Sequence, residues 1–222
     1  APTYFQKPVT AMNSHNAAVV RPQGCKWLNY EGEIVIVIGK TCRNISPAEA
    51  GEYIAGYTIG NDYGLHDFRD TDAGSMLRVK GSDTLAPIGP GVVTDWDFRN
   101  KTIRTLVNGV VKQEDNTDNM EWDMHYLVAD IARTITLVPG DILFSGTPAF
   151  SRPVQPGDVV EVEVEGLEGG VGGADLLVAL SGLLAVGEQA HARALEVPGF
   201  AESEASSPLP TPVSFAAVAE GA

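Results

Sequence analysis

The stretch Asn29 to Gly39, NYEGEIVIVIG, decides how the rest of the chain is read. Ile34 to Ile38 is a β-branched run bounded by Gly39, the signature of a strand, and Glu31 and Glu33 stand at its mouth. Successive side chains alternate faces along a strand, so both carboxylates point the same way. Two acids sharing one face suggest a metal site, although an E-x-E pair taken alone is read equally well as a solvated face.

Outward from this strand, the flanking signals favour many short strands. Residues 1 to 30, with Pro2, Pro8 and Pro22, read as irregular structure. Ser46-Pro47-Ala48-Glu49 carries a capping box with proline at the first helical position and predicts a short helix ending near Tyr53. Ile54 to Ile59 predicts a strand that runs into Asn61-Asp62. Gly64 to Ser82 has no clear periodicity and reads as a long loop, a length more often functional than idle. Leu85 to Val93 is extended, with Pro87 and Pro90 arguing against a central ladder position.

Thr102 to Val107 and Val110 to Gln113 flank Asn108-Gly109, which predicts a hairpin with a type I′ turn. Asp118 with Glu121 reads as a second capping signature. Met120, Met124, Leu127, Ile131 and Ile135 then recur at helical spacing, predicting an amphipathic helix of about four turns. Ile142 to Ser145 is a short strand. Val159 to Val164 alternates apolar and acidic residues, with Glu161, Glu163 and Glu165 on one exposed face.

Composition changes near Gly166. Residues 168 to 222 contain one Arg and no Lys, whereas residues 1 to 167 hold 14 of the 15 basic residues. The expected organisation is one folded domain over 1 to 167 and an Ala/Gly/Pro-rich tail over 168 to 222. In that tail Ala174 to Leu195 could be helical, and Ser206 to Val213 reads as disordered. The chain opens at Ala1 in APTYFQKP, which reads as the middle of a protein, so an upstream piece is expected.

The 222 residues carry a formal charge of -14, which argues against a nucleic-acid or anionic-membrane partner and for a small molecule. The apolar stretch Val171 to Gly187 is interrupted by Asp175 and is too short for a membrane span. Cys25 and Cys42 lack CxxC spacing and read as free thiols in a reducing, cytoplasmic setting.

The succession NYEGEIVIVIGK (29 to 40), AGYTIGNDYGLHDFR (55 to 69), RVKGSDTLAPIGP (78 to 90), PGDILFSGTP (139 to 148) and QPGDVVEVEVEGL (155 to 167) resembles the fumarylacetoacetate hydrolase family over about residues 4 to 167. The resemblance implies an α+β, mainly β fold: a mixed β-roll with a few short helices, usually a homodimer. It places metal ligands on Glu31, Glu33 and Asp62 and implies Mg²⁺ or Mn²⁺, consistent with a hard, all-oxygen donor set. Lys80 matches a lysine beside the metal that pairs with a substrate carboxylate or holds the ligand set. Thr147 matches a threonine that meets the substrate carboxylate.

Arg69 lies where several relatives carry a glutamine, and an arginine there could clamp the far carboxylate of a dioate. His66 stands where relatives commonly have arginine. His15 and His125 have weaker claims. The His-Glu acid-base pair of family members that cleave C–C bonds lies upstream of the point where this chain begins.

By the same resemblance, the substrates are 2-oxo-dienedioates of aromatic catabolism, turned over by isomerisation, decarboxylation or both. The type is 2-hydroxyhepta-2,4-diene-1,7-dioate isomerase. Alternatives are hydrolysis of an acylpyruvate or fumarylpyruvate, decarboxylation of oxaloacetate, or a catalytically impaired metal-binding member of the family.

Overall fold

The computed structural model describes residues 1–167 and the backbone of 215–219. Its strands are β1 (Thr3–Lys7), β2 (Met12–Ser14), β3 (Leu28–Asn29), β4 (Gly32–Ile38), β5 (Ile54–Asn61), β6 (Gly64–Leu65), β7 (Ala86–Val93), β8 (Thr102–Val107), β9 (Val110–Asn116), β10 (Ile142–Phe144), β11 (Val160–Val164) and β12 (Phe215–Ala219). Its α-helices are α1 (Arg69–Asp72), α2 (Leu77–Gly81) and α3 (Met124–Ala132). A seven-stranded mixed sheet runs β1-β12-β10-β4-β5-β7-β2, beside a three-stranded sheet β11-β8-β9 and the small pair β3-β6. This is the mixed β-roll with few short helices that the resemblance implies.

β4 lies inside the large sheet, and both of its faces are covered. Ile34, Ile36 and Ile38 turn one way, into a core shared with Ile103, Val162 and Val164 of the second sheet and with Met124, Leu127, Val128 and Ile131 of α3. Val35 turns the other way, among Phe5, Ala86, Ile142 and Phe144. Glu33 shares the Val35 face. Burial on both sides explains why the run is almost continuously β-branched.

Gly32, between the two glutamates, is where the sheets touch. A Cβ there would stand 2.2 Å from Thr105 Oγ1 and 2.9 Å from Val162 Cγ2.

The Asn108-Gly109 hairpin forms, with both residues at positive φ (52° and 74°), as a type I′ turn demands. β11 keeps its alternation, with Val160, Val162 and Val164 buried and Glu161 and Glu163 half-exposed.

Several expectations need correction. Residues 1 to 30 are not irregular throughout, because β1 pairs with β12 and β2 with β7. Those partners are remote in sequence. The capping contact at Ser46 forms, with the Glu49 carboxylate accepting from Ser46 N (2.8 Å) and Oγ (2.7 Å). The segment after it is nonetheless only a 3₁₀ turn, Ala50–Tyr53. Tyr53 O accepts from Gly39 N and Lys40 N, so that carbonyl is committed to the strand turn and not to a continuing helix.

The four-turn helix is instead a 3₁₀ turn at Thr117–Asn119 followed by the nine-residue α3. Asp123, not Asp118, is its cap and accepts from Tyr126 N at 2.7 Å. Asp118 is tied to Asn100 N instead, and Ile135 is exposed. The expected loop over 64 to 82 contains α1 and α2. Asp72, accepting from Val79 N at 3.2 Å and pairing with Arg78, holds the start of α2.

β7 is flanked on both sides despite its prolines. Its ladder to β5 skips Pro90 to Val92, so the missing N–H of Pro90 breaks no bond.

The helix expected over 174 to 195 and the disorder expected over 206 to 213 lie outside the described residues. Phe215–Ala219, from the compositionally distinct tail, lies between β1 and β10 in the large sheet. Both cysteines are free thiols. Among the described residues no helix is long and apolar enough to cross a membrane.

Candidate metal centre

Antiparallel pairing of β4 with β5 sets Gly32 opposite Asn61 and Glu33 opposite Gly60. The start of one strand thereby meets the end of the other. Asp62 N donates to Glu31 O at 2.8 Å, and the Asn61 side chain accepts from Glu31 N at 2.8 Å. Carboxylate oxygens of Glu31, Glu33 and Asp62 consequently lie within 4.8 Å of one another. The expected ligand set is brought together by a strand ladder, a rigid support.

Two lysines enclose it. Lys80, on α2 and 3% exposed, donates to Glu31 Oε2 at 2.5 Å and to Asp62 O at 2.9 Å. Its Nζ also faces Asp62 Oδ2 at 3.0 Å, without hydrogen-bonding alignment. Lys7, fully buried on β1, donates to Asp62 Oδ1 and to Lys80 O.

Lys7 is a site residue that sequence reasoning missed. A signal was available in the alternation Phe5-x-Lys7, which puts Lys7 on the face that Phe5 buries. His66, noted from sequence only as standing where relatives have arginine, also reaches the cluster: its Nε2 stands 3.8 Å from Glu31 Oε1. Asp67, next to it, accepts from Lys26 N and Trp27 N and fixes the turn.

The electrostatics are set by these contacts. Burial, then the Asp62 and Glu31 carboxylates, push Glu33 well above the ordinary carboxylate range. Burial also works against an ionised Glu31, but Lys80 and His66 outweigh it and lower its pKa. Lys80 is disfavoured as a cation by burial, yet Asp62 and Glu31 hold its pKa above the usual lysine value. Lys7 is lowered by burial foremost, with Lys80 adding to the effect.

With every group in its ordinary charge state, three carboxylates against two ammoniums carry one negative charge in excess. Glu33 Oε2 accepts from Gly146 N at 2.7 Å, while its Oε1 is buried with no hydrogen-bond partner. Burying such an oxygen unpaired is costly, and a cation would relieve it. The donor chemistry, the spacing and the orphaned oxygens therefore fit a hard divalent ion.

Thr147 directly succeeds Gly146 and lines a cavity of about 570 Å³ bounded also by Ile34, Asn116, Trp122 and Phe150. The triad does not line this cavity; Gly146 links the two. Arg69 is exposed on α1 and makes no ion pair among the described residues, so the fold does not draw it into the cluster. His15 lies beside Gly89, and His125 packs edge-on against Phe98.

Comparison with known proteins identifies the family and the fold. The family described as fumarylacetoacetate (FAA) hydrolase C-terminal matches residues 1–171. An uncharacterized protein of Methanocaldococcus jannaschii is 45% identical over 75% of this chain and 70% of its own length. A 4-hydroxyphenylacetate degradation bifunctional isomerase/decarboxylase of Salmonella dublin is 41% identical over 75% of this chain, but the match spans only 39% of that protein. Among solved structures, the 5-carboxymethyl-2-hydroxymuconate delta-isomerase from Mycobacterium smegmatis matches with a TM-score of 0.74 at 32% identity, covering 82% of this chain and 78% of that one. The 2-hydroxyhepta-2,4-diene-1,7-dioate isomerase from Mycobacterium marinum matches with a TM-score of 0.74 at 35% identity, covering 82% and 73%.

Proposed function

The chain belongs to the fumarylacetoacetate hydrolase family, and on that premise we propose that it is a divalent-metal-dependent enzyme acting on 2-oxo-dienedioates, as isomerase, decarboxylase or both. The observation that carries the reading is the buried Glu31–Glu33–Asp62 cluster with its unpartnered Glu33 oxygen. Mg²⁺ or Mn²⁺ held there would supply Lewis-acid polarisation of the 2-oxo group and its neighbouring carboxylate. The activities for which the Salmonella and mycobacterial relatives are named support the substrate class.

The chain's own residues take defined parts in this reading. Lys80, kept protonated by Asp62 and Glu31, is the catalytic cation: it faces developing enolate charge and pairs with a substrate carboxylate. Thr147 donates its hydroxyl to a substrate carboxylate from the cavity wall. Arg69, which stands outside the cluster on exposed α1, is assigned to the distal carboxylate of a dioate on the strength of the family resemblance and its charge alone. Lys7 holds Asp62 Oδ1 and so leaves Oδ2 for the ion.

The test is turnover of 2-hydroxyhepta-2,4-diene-1,7-dioate with Mg²⁺, beside an acylpyruvate and oxaloacetate, by wild-type chain and Glu33→Gln. Glu33→Gln should lose metal-dependent turnover. Full activity in that variant would refute the assignment, and preference for either control substrate would move the reaction class.

A further inference from the structure

Gln113 is a buried amide, 2% exposed, outside the carboxylate–lysine cluster and the apolar cores. Thr105 pairs with Gln113 and Leu106 with Val111, so the ladder skips Lys112. That irregularity turns Gln113 inward, as a bulge re-aims a side chain. Its Nε2 donates to Pro148 O, to Ala149 O at 3.3 Å and to Thr147 Oγ1 at 3.3 Å. Two of these partners are carbonyls, which only accept, so the NH₂ end of the amide has to face this loop.

We propose that Gln113 is a positioning residue that fixes the Thr147 hydroxyl as a donor aimed into the cavity, toward a substrate carboxylate. This rests on the function proposed above. Because Thr147 Oγ1 accepts from Gln113, its own hydrogen has to point elsewhere, and the cavity it lines is the open direction. The neighbouring acid on that wall, Asp115, has its Oδ1 engaged by Asn119 Nδ2 (2.7 Å) and Asn116 N (2.8 Å). On the other side, Glu33 holds Gly146 N. The loop carrying Thr147 is thus fastened to the metal strand at one end and to the hairpin at the other. Gln113 makes the second sheet part of the substrate wall.

The experiment compares Gln113→Met, which keeps length and loses the donor, Gln113→His, whose Nε2–H reaches a similar distance, Thr147→Val, and the Met/Val double variant. Gln113→Met should raise KM for the dioate about tenfold, the scale of one hydrogen bond to a charged group, with kcat within about twofold. The double variant should bind no worse than Thr147→Val alone, and Gln113→His should recover part of KM. Additive effects, or Met and His variants that behave alike, overturn the proposal.

Amide exchange across Gly146 to Phe150 is read in parallel on the full chain. A wild-type chain that turns over no 2-oxo acid refutes the functional reading; the positioning claim is then judged by exchange. Gln113→Met accelerates that exchange if the claim stands and leaves it unchanged if it falls.

Discussion

Replacing Glu33 by Gln should stabilise the metal-free chain while abolishing its response to metal. Glu33 lies on β4 with no exposure, and its carboxylate has two like-charged neighbours with oxygens within 4.8 Å. At an effective dielectric of about 20, each such pair at that distance repels by about 3.5 kcal/mol. Lys80 offsets roughly one of the two, so neutralising Glu33 should return on the order of 3 kcal/mol. The Gln carbonyl can still accept from Gly146 N, and its amide can donate toward Asp62 or Glu31, so the shape of the site is kept.

The raised pKa of Glu33 sets the sign with pH. A carboxyl raised in the folded state contributes fully below its ordinary value of 4.5 and loses that contribution as pH rises through the folded value. The advantage of the variant should accordingly be large at neutral pH and vanish toward pH 4.5. Thermal unfolding in chelator is the assay. A gain of about 3 kcal/mol corresponds to a Tm rise of about 6 to 12 °C for a chain of this size. Adding Mn²⁺ should then raise Tm of the wild type and leave Glu33→Gln unmoved. Equal Tm values at neutral pH in chelator, or an equal Mn²⁺ shift in both proteins, would refute the reasoning.

The same contacts fix three further outcomes. Gly32→Ala pushes a methyl to 2.2 Å from Thr105 Oγ1 and should cost about 1–3 kcal/mol, with weaker Mn²⁺ binding by calorimetry because both flanking glutamates shift. Lys7→Met leaves Asp62 with Lys80 as its remaining ammonium and should destabilise by about 3 kcal/mol in chemical denaturation. Arg69→Ala, at an exposed position, should leave stability within about 0.5 kcal/mol while raising KM for a dioate more than for an acylpyruvate that lacks the distal carboxylate.

By itself, the sequence determined the features whose physics is local. The β-branched run after Glu33 specifies a strand by side-chain crowding, and period-two alternation alone puts Glu31 and Glu33 on one face. Asn108-Gly109 carries its turn in its own backbone preferences, and it formed as read. The order of motifs carried the resemblance from which Asp62 and Lys80 were placed, and both stand beside those glutamates.

Only the tertiary structure decided what depends on distant partners. Ser46 makes its capping contact without a helix, because the Tyr53 carbonyl is taken by Gly39 N and Lys40 N. Asp118 lost the cap to Asp123 because Asn100 claimed it. Lys7 became part of the cluster because β1 is held by β12, from the opposite end of the chain, and Gln113 reached Thr147 because one ladder skips a residue. Such pairings owe their energy to burial and charge brought together by the whole fold, and no window of sequence contains both partners.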